Sequence, residues 1–251
     1  MNIAIVTGAS SGMGRDFVLQ ISKRFATLDE IWIIARRSER LEELKKSITN
    51  VKIRPISMDI TNSADMNSFE KKLKETNPCV RILVNGAGYG IIGQFTELAE
   101  DNIGMCELNC VALTKMINLC LPYMNKKNSN IINLASSAAF CPQPSFAVYA
   151  ATKSYVLSLS TALNKELSKT GIRVTAVCPG PVDTEFFDKA EIYHNVKLYK
   201  KMVRAKSHKV VELALNDAYR GRHISIYGAA MNLFRFVAKI LPHNFIVKFI
   251  K

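Results

Sequence analysis

Acidic residues are the scarce class in this 251-residue sequence: 21 Asp and Glu stand against 34 Lys and Arg, a formal charge of +13. Such an excess favours anionic partners: nucleic acid, membrane surfaces, or phosphorylated and carboxylated small molecules. The cations are scattered, with a denser stretch over 197–209, and no nucleic-acid motif accompanies them, so no nucleic-acid partner is expected. Cysteine is sparse too. Cys79, Cys106, Cys110, Cys120, Cys141 and Cys178 form no C-x-x-C pair, and no histidine cluster joins them. That pattern argues against zinc, and no metal is expected. Cys106 and Cys110 are expected as buried thiols, and a reducing compartment disfavours disulfides. No tract reads as long and apolar enough to span a bilayer. No signal-peptide pattern precedes the first apolar run, I-A-I-V from Ile3. These absences predict a cytoplasmic protein. Internal repeats, low-complexity segments and linkers are lacking as well.

What is there is an alternation. Short runs rich in Ile and Val predict strands at Ile3–Thr7, Ile31–Ala35, Val51–Ile56, Ile82–Asn85, Asn130–Leu134, Arg173–Cys178 and His223–Ile226. Between them, helical patterns include Gly14–Phe25, Arg40–Ser47, Ser63–Glu75, Asp101–Met124 and Tyr149–Ser168. The length suits one α/β domain spanning 1–251, a Rossmann-type doubly wound parallel sheet with helices on both faces. Two segments depart from the rhythm. Residues 185–206 read as a basic, amphipathic helical insertion, and 229–251 form an unusually apolar tail.

The first strand runs into T-G-A-S-S-G-M-G. Gly8, Gly12 and Gly14 there allow a tight turn and a close backbone approach to a phosphate, with a helix N-terminus behind it. The turn residues Ser10, Ser11 and Met13 belong to the same candidate cradle. At the end of the second strand, an NAD-selective site usually carries an acid for the ribose 2′-hydroxyl. This chain has Ala35 followed by Arg36 and Arg37, whose guanidinium groups suit a 2′-phosphate. NADP(H) is therefore expected over NAD(H), with Asp59 and Ile60 near the adenine. Tyr149 and Lys153 stand four apart in Y-A-A-T-K and share a helix face. A cation beside a tyrosine favours the phenolate and lowers its pKa from about 10. Taken alone, the pair reads as a half-buried packing tyrosine and a solvated helix lysine.

The motifs T-G-A-S-S-G-M-G at 7–14, Asp59, N-G-A-G at 85–88, Asn109, Ser136, Y-A-A-T-K at 149–153 and P-G-P-V-D-T at 179–184 occur in this order. With them the chain resembles the short-chain dehydrogenase/reductase family over nearly its whole length. Gly86 departs from the family's N-N-A-G, and Ser136 is preferred to Ser137 because it lies thirteen residues before Tyr149. The resemblance implies an enzyme that interconverts a secondary alcohol and a ketone, rather than a non-catalytic nucleotide-binding regulator. It implies Tyr149 as general acid/base, Lys153 lowering the phenol's pKa and binding the nicotinamide ribose, Ser136 on the substrate oxygen, and Asn109 holding a relay water. Cofactor contacts are implied from Asn85, Ala87, Gly88, Pro179, Gly180, Val182 and Thr184, besides the turn. The family also implies a homo-oligomer, dimer or tetramer.

Candidate substrate walls are G-Y-G-I-I-G after Gly88, the loop A-F-C-P-Q-P-S-F-A-V and the insertion. Among their side chains are Tyr89, Ile91, Ile92, Phe140, Phe146, Phe186, Phe187, Ile192 and Tyr193. This lining favours a bulky apolar alcohol or ketone. A rim of Lys189, His194, Lys197, Lys200 and Lys201 suits an acidic substituent. The combination resembles hydroxysteroid dehydrogenases and suggests a bile-acid-like substrate, with a 3-oxoacyl thioester as the alternative. In the tail, Leu233, Phe234, Phe236, Val237, Ile240 and Leu241 fit one apolar helix face, and Phe245, Ile246, Phe249 and Ile250 continue it. Packing of that face on protein is preferred to a peripheral contact with anionic lipid.

Overall fold

Runs of Ile and Val form strands because branched side chains pack well on a pleated surface buried on both sides. The computed structural model describes residues 1–124, 128–191 and 204–248. Its central sheet contains β1 (Asn2–Thr7), β2 (Glu30–Ala35), β3 (Lys52–Ser57), β4 (Cys79–Asn85), β5 (Ser129–Leu134), β6 (Ile172–Val177) and β9 (Ile224–Ser225). All neighbours pair in parallel in the order β3-β2-β1-β4-β5-β6-β9. The order reverses between β1 and β4, which opens a crevice at the carboxyl ends of those strands. The expected doubly wound sheet is present. The largest boundary shift is at β4, which begins at Cys79 rather than Ile82 because Cys79 already pairs with Asn2.

Helices cover both faces. On one side α1 (Gly12–Arg24), α2 (Ser38–Lys46) and α7 (Ser207–Tyr219) bury Phe17, Ile21, Leu41, Leu44, Val211 and Ala214. On the other, α3 (Ser63–Thr76), α4 (Ala99–Tyr123) and α5 (Ala147–Glu166) bury Phe69, Leu73, Met116, Ile117 and Val156. Helix α4 corrects one expectation. By length and composition it is apolar enough to cross a bilayer. Leu113, Met116, Ile117 and Cys120 nevertheless pack into the core, and Asp101, Glu107 and Lys115 punctuate the helix. It is the core helix of this fold.

Three further expectations change. The six cysteines carry free thiols, but Cys106 is exposed and Cys110 only half-buried, rather than both buried. The insertion ends as a strand, not a helix. Ala205–Lys206 (β8) pairs with Val182–Asp183 (β7), and α6 (Phe186–Ala190) lies between these strands in the chain. Residues 192–203 lie outside the described residues, and with them Ile192, Tyr193, His194, Lys197, Lys200 and Lys201. The tail forms α8 (Ala229–Ile240) and α9 (His243–Val247). Its apolar residues do not share one face: Phe234 turns inward, while Leu233, Phe236 and Ile240 are exposed. Phe249 and Ile250 lie outside the described residues.

Candidate active site

The turn after β1 is built on glycine for two separate reasons. Gly8 has φ +68°, and a Cβ there would stand 2.7 Å from the Ala87 nitrogen. A Cβ on Gly14 would collide with the Gly8 carbonyl. The backbone therefore folds tightly enough to bring the start of α1 over the ends of β1 and β4. Thr7 ties the two strands, its Oγ1 accepting from the Gly86 and Ala87 nitrogens at 3.1 and 3.2 Å. Helix α1 begins with no side-chain cap and no acid in its first turn. Its first N–H groups are thus available to an anion.

Arg37 lies over this turn. Its Nε and Nη2 donate to Ser10 Oγ at 3.2 and 3.0 Å, and Nη2 donates to Ser11 Oγ at 2.8 Å. Its Nη1 donates to Glu185 Oε2 at 2.9 Å, and Arg40 donates to the other oxygen of Glu185 at 2.6 Å. This bridge joins the β2 end to the segment after β7. Both guanidinium groups hold the Glu185 carboxyl below the usual carboxylate range, burial opposing them only in part. Arg36 reaches Asp59 at 3.5 Å. Burial pushes the Asp59 carboxyl up, but Thr61 donates both its backbone N–H and its hydroxyl, and with Arg36 these hold the pKa lowered.

The cleft occupies about 1430 Å³ and runs from Arg37 to Phe234. Room of this size exceeds the roughly 300–1,000 Å³ of one drug-sized site and suits a dinucleotide with a substrate beside it. Every predicted cofactor residue lines it except Asn85. Asn85 sits beneath the cleft, where its Nδ2 donates to Asn133 Oδ1 at 2.8 Å in the buried core. Strand alternation points it away from the cleft while Gly86, Ala87 and Gly88 continue along the wall.

At the inner end stand the acid–base candidates. Tyr149 and Lys153 lie on α5 and both are buried. The Lys153 Nζ donates to the Leu134 carbonyl at 2.7 Å and sits 5.6 Å from the Tyr149 ring centre. Burial pushes the Tyr149 phenol up to about 12, partly offset by its hydrogen bond with the Ser136 side chain. Burial brings the Lys153 ammonium down to about 8. Proximity of the cation does not, in this geometry, outweigh the loss of water around the phenol. Ser136 caps the following 3-10 turn, its Oγ accepting from the Ala138 nitrogen at 3.1 Å.

Asn109 sits on a π-helical turn of α4, Glu107–Ala112. Such turns recur at functional sites because they re-aim side chains. Its Nδ2 donates to the Tyr89 carbonyl at 2.9 Å and to Thr152 Oγ1 at 3.0 Å, and its Oδ1 accepts from the Tyr89 nitrogen. Both amide donors are therefore committed, and the side chain fixes the loop after β4 against α5.

The substrate end is aromatic. Phe146 stacks on Tyr149 with centroids 4.2 Å apart, and Phe186 tilts against the same ring at 5.5 Å. Tyr89, Ile92 and Phe187 also line the cleft, whereas Ile91 and Phe140 are buried beside it. Met231 and Phe234 of α8 also line the cleft, from outside the predicted walls. Among the described residues no group of His, Cys, Asp and Glu could hold a metal ion.

The family model described as short chain dehydrogenase matches residues 2–193. The chain belongs to the short-chain dehydrogenase family. An uncharacterised oxidoreductase of Staphylococcus epidermidis is 32% identical over 198 residues, covering 78% of this chain and 84% of that protein. A short-chain dehydrogenase of Sphingobium yanoikuyae, solved in complex with NADPH, superposes with a TM-score of 0.80 at 28% identity, over 96% of this chain and 97% of its own. A bulky-bulky ketone specific alcohol dehydrogenase of Comamonas testosteroni gives 0.76 at 25% identity, over 96% and 95%. This short-chain dehydrogenase is accordingly an NAD(P)H-dependent oxidoreductase acting on CH–OH groups.

Proposed function

We propose that the protein interconverts a bulky, apolar secondary alcohol and its ketone with NADP(H), using Tyr149 as the proton donor and acceptor. The observation that carries the reading is the Tyr149 phenol at the floor of an aromatic cleft, bonded to Ser136 and flanked by Phe146 and Phe186. The glycine turn, the open start of α1 and Arg37 over Ser10 and Ser11 fit a phosphorylated dinucleotide. Its nicotinamide supplies hydride chemistry. Ser136 and Tyr149 hold the substrate oxygen between two hydroxyls. The phenol is protonated at neutral pH, so it can give its proton to that oxygen as negative charge develops there. Lys153 keeps two of its three N–H groups beyond the Leu134 bond, and its charge lowers the cost of the phenolate left behind.

Within this class we favour a polycyclic hydroxysteroid or bile-acid-like alcohol. The support is the rigid apolar lining, Phe146, Phe186, Phe187, Met231 and Phe234, which suits a fused-ring surface better than a sugar. NADP(H) is favoured over NAD(H) because Arg36 and Arg37 stand where an acid would otherwise face the ribose. Self-association through α4 and α5 is part of the proposal, since Ile103, Val111 and Tyr155 are exposed on those helices. Side-by-side turnover of steroid ketones and 3-oxoacyl thioesters, each with NADPH and NADH, tests the substrate and cofactor together. Tyr149→Phe is expected to abolish turnover while leaving NADPH binding intact, and substantial residual activity would exclude the mechanism.

A further inference from the structure

Helix α8 has two faces with opposite surroundings. Inward, Met231 presses its sulfur against Gly180, where even a Cβ would come within 2.7 Å. The Phe234 ring meets Phe140 at 6.1 Å, and Ala238 is buried. Met231 and Phe234 are at the same time walls of the active cleft. Outward, Leu233, Phe236 and Ile240 are each more than 60% exposed, and Val237 and Leu241 extend the stripe. A contiguous apolar stripe of this kind marks an interaction site. The charged residues beside it are cations: Lys239 and Lys248 are exposed and Arg235 is half-buried. No acidic residue follows Asp217 in the chain.

We propose that α8 and α9 form a docking surface for an anionic lipid bilayer, with the outer face of α8 laid into the headgroup boundary. Large apolar side chains on one side and Lys/Arg without acids beside them are what such a surface selects. A second copy of the chain fits less well. A two-fold pairing of α8 with itself would set Lys239 and Lys248 against their own kind, with no acid in the same segment to offset them. The consequence, which rests on the proposed apolar substrate, concerns access. Lipid would meet one face of the helix whose other face walls the cleft, so a lipophilic alcohol or ketone would reach Tyr149 past Met231 and Phe234.

Co-sedimentation of the full chain with vesicles of phosphatidylcholine alone, and of phosphatidylcholine mixed with phosphatidylglycerol, tests the surface. The wild-type protein is expected to pellet with the mixed vesicles and to be released by added salt. Phe236→Glu/Ile240→Glu is expected to lower the bound fraction at least about tenfold. The same variant must keep its thermal midpoint and its affinity for 2′,5′-ADP, which shows that the fold and the cleft are intact. Wild-type protein that stays in the supernatant, or a variant that pellets equally, overturns the proposal. So does a variant that turns a wild-type dimer into a monomer without any lipid binding in either, which would assign the stripe to a second copy. Turnover of a water-soluble ketone reads the proposed chemistry separately, and its outcome leaves the sedimentation result untouched.

Discussion

Arg37→Ala is the perturbation that best tests the proposed preference for a cofactor with a 2′-phosphate. In the structure the Arg37 guanidinium makes four hydrogen bonds to Ser10, Ser11 and Glu185, all at the mouth of the phosphate turn. A 2′-phosphate arriving there replaces neutral hydroxyls by a charged acceptor. A hydrogen bond between charged groups contributes about 1.5–3 kcal/mol. The side chain is 45% exposed, so solvent screening places the effect near the lower end, about 1.5–2 kcal/mol. That corresponds to roughly 10- to 30-fold weaker binding of NADPH. NADH has no phosphate at this position and is expected to change by less than about threefold. Glu185 gives the opposite sign. It holds Arg37 and Arg40 in its own ion pairs, and Glu185→Gln releases both for the phosphate, tightening NADPH binding by about two- to fivefold, the scale of an exposed ion pair. Isothermal titration of each variant with NADPH and NADH reads all four numbers. Equal weakening of both cofactors by Arg37→Ala would refute the assignment, since a residue that only shapes the turn cannot tell them apart.

Other perturbations bear on the chemistry and on the fold. Gly90→Ala would place a methyl 2.5 Å from the Tyr149 ring and 2.9 Å from Phe146; a displaced phenol is expected to cost about 10²-fold in kcat, while 2′,5′-ADP titration should show unchanged binding. Lys153 titrates at about 8 in the cleft without ligands, so kcat/KM for carbonyl reduction is expected to fall above about pH 8. A pH profile flat to pH 10 would show that its charge is not needed. Glu30 is a stability probe: Arg54 grips it first and foremost, with Lys52 and Trp32, and its pKa is lowered to about 2. A depressed carboxylate pKa stabilises the fold above the unfolded value near 4.5 and loses that contribution as pH falls toward 2. Urea midpoints are expected to show Glu30→Gln destabilised by ~2 kcal/mol at pH 7, discounted for the exposed Lys52 and Arg54, with the gap closing below pH 4.5.

How much of this was legible beforehand depended on how local the signal is. The strands were readable because β1, β2 and β5 are buried almost end to end, and burial on both faces leaves continuous Ile/Val runs. The phosphate turn was readable because Gly8 and Gly14 answer local steric demands. Helix α7 was missed. It starts after Lys206 with no side-chain cap, so the cationic stretch over 197–209 runs across its boundary without a stop or start signal. Asn85 stands off the cleft wall, bonded to Asn133, because a motif gives the residue but not which side of the strand it faces. The apolar tail could be read as a cover over the substrate pocket, but not which of its residues face it: the partners of Met231 and Phe234, Gly180 and Phe140, are distant in the chain. Periodicity grouped Phe234 with Leu233 and Phe236, yet packing on Phe140 turns it to the opposite side.

The spacing of Tyr149 and Lys153 shows most plainly what a pattern leaves undecided. Four residues on a helix ensure that the two groups share a face, and a cation near a phenol lowers its pKa. Burial acts on the same pair in the other direction, raising the phenol to about 12 and lowering the ammonium to about 8. Only the packing decides which effect wins, and here Phe146, Phe186 and the floor of the cleft exclude enough water for burial to prevail. The ordinary value of about 10 and the raised value of about 12 both leave the phenol protonated at neutral pH, as a proton donor in reduction must be. The packing also assigns Lys153 a narrower task than general activation. Held to the Leu134 carbonyl and 5.6 Å from the ring centre, it contributes most after the proton has left, when a phenolate stands in a largely buried site.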